Sequence, residues 1–275
     1  MSYNEEDVRK LEKFAKRVRR GLVESIGIGV AGHLGGGCSC ADIVAALYFH
    51  KMKYDQQKPT DPDRDRFLLS KGHATIAQYA ALAELGVIPK EELKKTKTLG
   101  SMLQGHPDVK KTPGIEAGTG SLGQGLSIAL GMALGQRLDG YGRKTYVLIG
   151  DGELAEGQIW EAAMAASVYN VSNLVAILDK NNLQATAATK ELFDIRNLNT
   201  KWEAFGWHVI EVVGHNIAEL LDAFYESDGV QDKPTMIIAN TIKGKGVSFA
   251  ENVVGFHNGV LTEENYNQAM SELSE

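Results

Sequence analysis

The chain has 275 residues, a formal net charge of −6, 43% hydrophobic and 23% charged residues. That balance excludes an intrinsically disordered chain, weighs against a nucleic-acid partner and leaves enough length for a sizeable core. Two cysteines close together exclude a disulfide framework and point to a reducing, cytoplasmic setting, whereas 30 glycines with no collagen-like period are the unusual figure.

In chain order, residues 1–20 are charged and lack the apolar core of a signal peptide. Arg9, Lys10, Lys13, Lys16, Arg17, Arg19 and Arg20 alternate with Glu5, Glu6, Asp7, Glu12 and Glu24, so they read as the solvated face of a helix over 5–26. A glycine-rich loop is expected at 32–37 and a helix at 40–50, where Cys38 and Cys40 read as small helix-starting residues and not as zinc ligands. Residues 59–66 form a polar, turn-rich segment; helices follow at 75–85 and 89–97, and a second glycine-rich stretch at 114–125 leads into a helix ending near 138. From there strands at 145–149, 174–179, 207–213 and 235–241 alternate with helices at 157–169 and 217–226. The near-continuous apolar strands predict an α/β fold, a parallel sheet flanked by helices, in one domain over residues 1–275 with a short acidic tail from 262. No apolar run approaches the ~20 residues of a membrane span, so no membrane is expected.

The glycines cluster after strands and beside histidines. Gly150, Asp151 and Gly152 follow one strand, and Lys180, Asn181 and Asn182 follow the next, so Asp151 and Asn181 occupy comparable strand ends thirty positions apart. In a parallel sheet such ends face the ligand, and two hard oxygen donors there suit Mg²⁺ or Ca²⁺ bound with a diphosphate. The GxGxxG at 118–123 follows no strand and is therefore no dinucleotide fingerprint, although its glycines and Ser121 open a helix whose N-terminal amides suit an anion or a ring. Four of the seven histidines, His33, His73, His106 and His257, sit in glycine-bearing loops, which suggests a polar wall able to move protons.

Residues 150–157 (GDGELAEG) running to 179–183 (DKNNL) resemble the thiamine-diphosphate motif. Ala31-Gly32-His33, the 69–74 segment LSKGHA and the 104–107 segment QGHP resemble three histidine motifs of transketolase; residues 119–125, 204–210 and 241–246 also match, and together these segments resemble its N-terminal, diphosphate-binding part. The resemblance implies a thiamine-diphosphate-binding fold and transfer of a two-carbon ketol unit from a ketose to an aldose, with sugars or sugar phosphates as substrates. It implies that Asp151, Asn181 and the carbonyl of Leu183 hold Mg²⁺ (or Ca²⁺ or Mn²⁺), that Gly152 approaches the diphosphate, and that Gly120, Ser121 and Leu122 meet the cofactor. Lys71 and Lys243 would lie near its rings or phosphates, Glu156 would reach a subunit interface, and His33, His73, His106 and His257 would be catalytic along the substrate channel, with His73 and His257 also touching the cofactor.

Departures fall in that channel: Leu34 stands where the family usually has Pro, Gly36 where some members have Ser, and Asn258 where Gly is common. The chain ends before the pyrimidine-binding and C-terminal domains of the family. That implies a split enzyme, completed by a second chain carrying the pyrimidine-binding domain in an α₂β₂ assembly. Two other readings are the α subunit of a 2-oxoacid dehydrogenase, which does not need the Gly-His motifs, and a non-catalytic thiamine-diphosphate-binding regulatory subunit, which does not need a histidine-lined channel.

Overall fold

Asn4 caps the first helix of the computed structural model, which describes residues 3–274. Its side chain accepts from the N–H groups of Glu6 and Asp7 at 2.8 and 3.0 Å, and the Asp7 carboxylate accepts in return from Asn4 N–H at 3.0 Å. This reciprocal cap satisfies amides that α1 (Glu5–Ile26) would otherwise leave free. Leu11, Ala15, Val18, Leu22 and Ile26, spaced three and four apart, bury one stripe of α1. Arg19 corrects the reading of the basic cluster as solvated, because it is buried and paired with Asp42.

Five parallel strands make the main sheet: β2 (Arg66–Leu69), β3 (Thr145–Gly150), β4 (Leu174–Lys180), β5 (His208–Val213) and β6 (Thr235–Asn240), in the order β2-β3-β4-β6-β5. Strand side chains alternate between faces. Phe67, Leu69, Tyr146, Leu148, Val175, Ile177 and Ile237 pack on a layer built from α1, α3 (Ala41–Ala46), α4 (Thr75–Glu84) and α9 (Ile217–Gly229). Leu68, Val147, Ile149, Ala176, Leu178, Met236 and Ile238 pack on α5 (Gln124–Leu138), α6 (Gly157–Val168) and α8 (Leu198–Ala204). The sheet is thus covered on both faces, which is why its strands read as unbroken apolar runs.

Several local expectations change. Residues 34–39 are not loop but a buried helix, α2 (Leu34–Ser39), whose glycines carry no periodicity signal. The edge strand β2 was hidden by the polar segment before it and by its own four-residue length. The 89–97 helix shrinks to a 3₁₀ stretch, Lys90–Lys95, with Pro89 ahead of it. The 40–50 helix continues from α3 as a wider π turn over Leu47–Lys51, and α8 was not expected although it brings Trp202 into the core. A short α7 (Thr189–Leu192) precedes α8. Ala31–Gly32 (β1) and Gly259–Val260 (β7) pair antiparallel, and the acidic tail folds as α10 (Glu263–Glu272), reached by Arg20 of α1 through the Met270 carbonyl at 3.3 Å. Among the described residues no helix is long and apolar enough to cross a membrane.

Candidate cofactor cleft

Parallel pairing puts the carboxyl ends of β2, β3, β4 and β6 on one edge, and the register aligns Gly150 with Asp179 and Lys180 with Asn240. The loops that leave those ends enclose a cleft of about 240 Å³. One wall carries the oxygen donors. The Asp151 carboxylate accepts from its neighbour Gly152 N–H at 2.8 Å and from Asn182 N–H, so it ties the loop after β3 to the loop after β4. Burial, followed by the nearby charge of Asp179, raises its carboxyl to about 6. Asn181 is buried, with its Oδ1 accepting from Leu183 N–H at 3.2 Å.

Two lysines bring positive charge. Lys71 is buried and donates to the Gly36 carbonyl at 2.6 Å and to Asp179. Lys243 donates to the carbonyls of Leu183 at 2.8 Å and Gln184 at 3.2 Å, and lies 2.8 Å from His257 Nδ1. Burial, then the charge of Lys71, pulls Lys243 down to about 8. An ammonium has only protons to give, so Nδ1 of His257 accepts and its Nε2 carries the hydrogen.

Three imidazoles line the same cleft. Ring centroids lie 5.0 Å apart for His33 and His73, 5.1 Å for His73 and His257, and 5.5 Å for His33 and His257. Burial is the main reason their pKa values fall, to about 4 for His33 and His257, with His73 also strongly lowered; Lys71, Lys97 and Lys243 add to the effect. All three are neutral at pH 7, when each ring has one donor and one acceptor nitrogen. His33 Nδ1 is buried without a hydrogen-bond partner.

Of the residues singled out in the sequence, the cleft gathers His33, Lys71, His73, Gly120, Leu122, Asp151, Gly152, Asn181, Leu183, Lys243 and His257. His106 is exposed and outside this lining, its ring so close to Gly120 that a Cβ there would come within 2.5 Å of it. Ser121 and Glu156 are exposed outside the lining, Glu156 at the start of α6. Two buried carboxylates had no role assigned from sequence. Glu153 accepts from Ser70 Oγ and from the N–H groups of Gly123 at 2.8 Å and Gly150 at 3.2 Å, pinning three cleft loops together. Asp179 closes the apolar run of β4, and an acid at the end of such a run is the signal by which it was findable.

The chemistry of this wall fits a divalent ion with a diphosphate. Among the described residues no three His, Cys, Asp or Glu side chains come together to hold a metal. The donors on offer are a carboxylate, an amide oxygen and a carbonyl, a hard set that suits Mg²⁺ better than zinc. Two ammonium groups, Lys71 and Lys243, line the same cleft.

Residues 11–274 match the family model described as transketolase, thiamine diphosphate binding domain. The chain is 43% identical to an apulose-4-phosphate transketolase subunit of Phocaeicola vulgatus, covering 98% of this chain and 95% of that one. It is 46% identical to the 6-deoxy-6-sulfo-D-fructose transketolase subunit SqwG of Clostridium sp., covering 96% of each. Against the transketolase of Homo sapiens it is 41% identical over 99% of this chain but only 44% of that protein. The solved transketolase of Leishmania mexicana superposes with a TM-score of 0.90 at 34% identity, over 96% of this chain and 41% of the other.

Proposed function

The chain belongs to the transketolase thiamine-diphosphate-binding family, and from that premise we propose that it is the diphosphate-binding subunit of a two-chain transketolase. It moves a two-carbon ketol unit from a ketose to an aldose, both sugars or sugar phosphates. The observation that carries this reading is the pairing of the oxygen-donor wall with the wall of neutral imidazoles in one cleft. The printed names of two relatives support the division into two chains: both are transketolase subunits, and the chain covers 95% and 96% of them, against 44% and 41% of the Homo sapiens and Leishmania mexicana transketolases. The second chain supplies the pyrimidine-binding half, in an α₂β₂ assembly.

Thiamine diphosphate, when bound, supplies the electron sink that lets the bond beside a ketose carbonyl break and re-form. Asp151, Asn181 and the Leu183 carbonyl hold its Mg²⁺, and Lys71 and Lys243 balance its phosphates. Gly120, Ser121 and Leu122 meet its rings, and Glu156 faces the partner chain. Neutral His33, His73 and His257 donate to and accept from sugar hydroxyls and pass protons between them, and His106 reaches the substrate past Gly120. The reading as a 2-oxoacid dehydrogenase subunit has no support in the family match. A non-catalytic binder would leave the three neutral imidazoles without work.

The test is ketol transfer by this chain with thiamine diphosphate and Mg²⁺, alone and mixed with a candidate second chain, against a panel of ketoses. The expected result is activity only in the mixture; full activity of the chain alone contradicts the two-chain reading. His106→Ala should lower transfer in the mixture by about 10²-fold or more while cofactor binding persists; no activity from any mixture favours the regulatory binder.

A further inference from the structure

Asp179, in β4, has 0% exposure, and four donors converge on its carboxylate. Ser39 Oγ lies 2.6 Å and Asn181 Nδ2 3.1 Å from Oδ2; Lys71 Nζ also donates to Oδ2, and Thr241 Oγ1 donates to Oδ1. These donors come from the end of α2 and from the loops after β2, β4 and β6, so one side chain ties four segments together.

We propose that Asp179 is the positioning residue of the metal site, turning the Asn181 amide so that its oxygen and not its nitrogen is presented to the divalent ion. The inference rests on the reading of Asp151, Asn181 and Leu183 as the ion's ligands. An amide has nearly the same shape in either orientation, so its neighbours must choose. The Asp179 oxygens already receive Lys71, Ser39 and Thr241 and so present acceptors, which permits only Nδ2 to face Asp179. The Leu183 N–H only donates, which permits only Oδ1 to face it, at 3.2 Å. Both neighbours select one orientation and leave the second lone pair of Oδ1 for a cation. A flipped amide would aim two N–H groups at the ion and ligate nothing. Lys71 is held by the same carboxylate, which couples the placing of a phosphate-balancing charge to the placing of a metal ligand.

The test is calorimetric titration of Mg²⁺ into the full-length chain at saturating thiamine diphosphate, with thermal unfolding recorded in parallel. Wild-type binding of Mg²⁺ checks the ligand reading itself, and its absence would remove both that reading and the inference. With wild type binding, Asp179→Asn is expected to weaken Mg²⁺ affinity about 10–100-fold, the range typical of residues that orient a metal ligand. The discriminating variant is the double Asp179→Asn, Asn181→Asp. A carboxylate at 181 presents oxygen whichever way it turns, and it keeps one negative charge beside Lys71. The double variant should recover affinity to within about tenfold of wild type, which a merely structural role for Asp179 would not produce. Unchanged affinity in Asp179→Asn, or a double variant as weak as the single, overturns the proposal. Where Asp179→Asn does not fold, the double variant decides alone: binding near wild type supports the proposal, and no binding overturns it.

Discussion

Gly36 and Gly72 look alike in the sequence, each a glycine near a histidine, but their surroundings separate them. A Cβ on Gly72 would lie 2.6 Å from the Thr119 carbonyl carbon and 2.7 Å from Gly120 N, backbone atoms that cannot yield without moving the loop. Gly72→Ala should therefore cost about 1–3 kcal/mol and weaken cofactor binding by displacing that loop, as urea unfolding and a cofactor titration would read. A Cβ on Gly36 would lie 3.6 Å from His73 Nε2 and 3.8 Å from Lys71 Nζ, ordinary contact. Because Gly36 lies within α2, Gly36→Ala should stabilise the chain by about 0.5–1 kcal/mol in the same urea assay. It should also alter sugar affinity, since its methyl enters the cleft. Glycine spacing marked both positions, but only the distance to the Thr119–Gly120 backbone tells which one is intolerant.

At the scale of elements, a buried relay joins α1, α3, the turn before α9 and the loop after β6. Arg19 donates through Nη1 to Asp42 Oδ1 at 3.1 Å and through Nη2 to Oδ2, and His215 Nδ1 lies 2.7 Å from Oδ2. His215 Nε2 accepts from Ile242 N–H at 2.8 Å, which fixes the hydrogen on Nδ1 and makes His215 the donor to Asp42. The next residue is Lys243, so a contact begun on α1 ends at the cleft. Asp42→Ala leaves the Arg19 guanidinium buried and unpaired, and should destabilise the chain by about 3–5 kcal/mol in urea unfolding. The sequence carried α1, α4 and the strands β3, β4 and β6, because each has a regular apolar period or an unbroken apolar run. It did not carry α2, β2 or α8. Glycines hide the first, four residues are too few to show a period in the second, and the third is held by Trp202 packing with Trp160 and Trp207, a tertiary contact.

For the molecule as a whole, the three neutral imidazoles set an acid limit on stability. Their ordinary value is 6.5, and in the fold His33 and His257 fall to about 4 and His73 is lowered too. Between those values the unfolded chain binds more protons than the folded one. Stability is therefore complete above about pH 6.5 and declines as pH falls toward 4. Asp151 acts in the opposite sense, since its raised carboxyl near 6 takes up a proton in the folded state first, and the raised carboxyls of Asp65, Glu116 and Glu153 act with it, whereas the lowered carboxyls of Asp42, Asp63 and Asp179 act with the imidazoles. Urea midpoints between pH 7.5 and 4.5 should fall, and the fall should be shallower in His73→Gln. A midpoint independent of pH would remove the account of these rings as buried and neutral.

What the sequence determined by itself is the set of parts. Strand alternation dictated a doubly covered parallel sheet, and the strand-end residues Asp151 and Asn181 marked the edge where the cleft opens. The order of the glycine-bearing histidine motifs identified the family. Only the tertiary structure decided how those parts meet: which three imidazoles stand within 5.5 Å of one another, that they are neutral, and that Asp179 holds Lys71 and Asn181 together. The reason is physical. Periodicity is local and survives in the linear chain, whereas Asp179 and Lys71 are 108 residues apart, and the desolvation that shifts a histidine exists only once the sheet and its helices have closed around it.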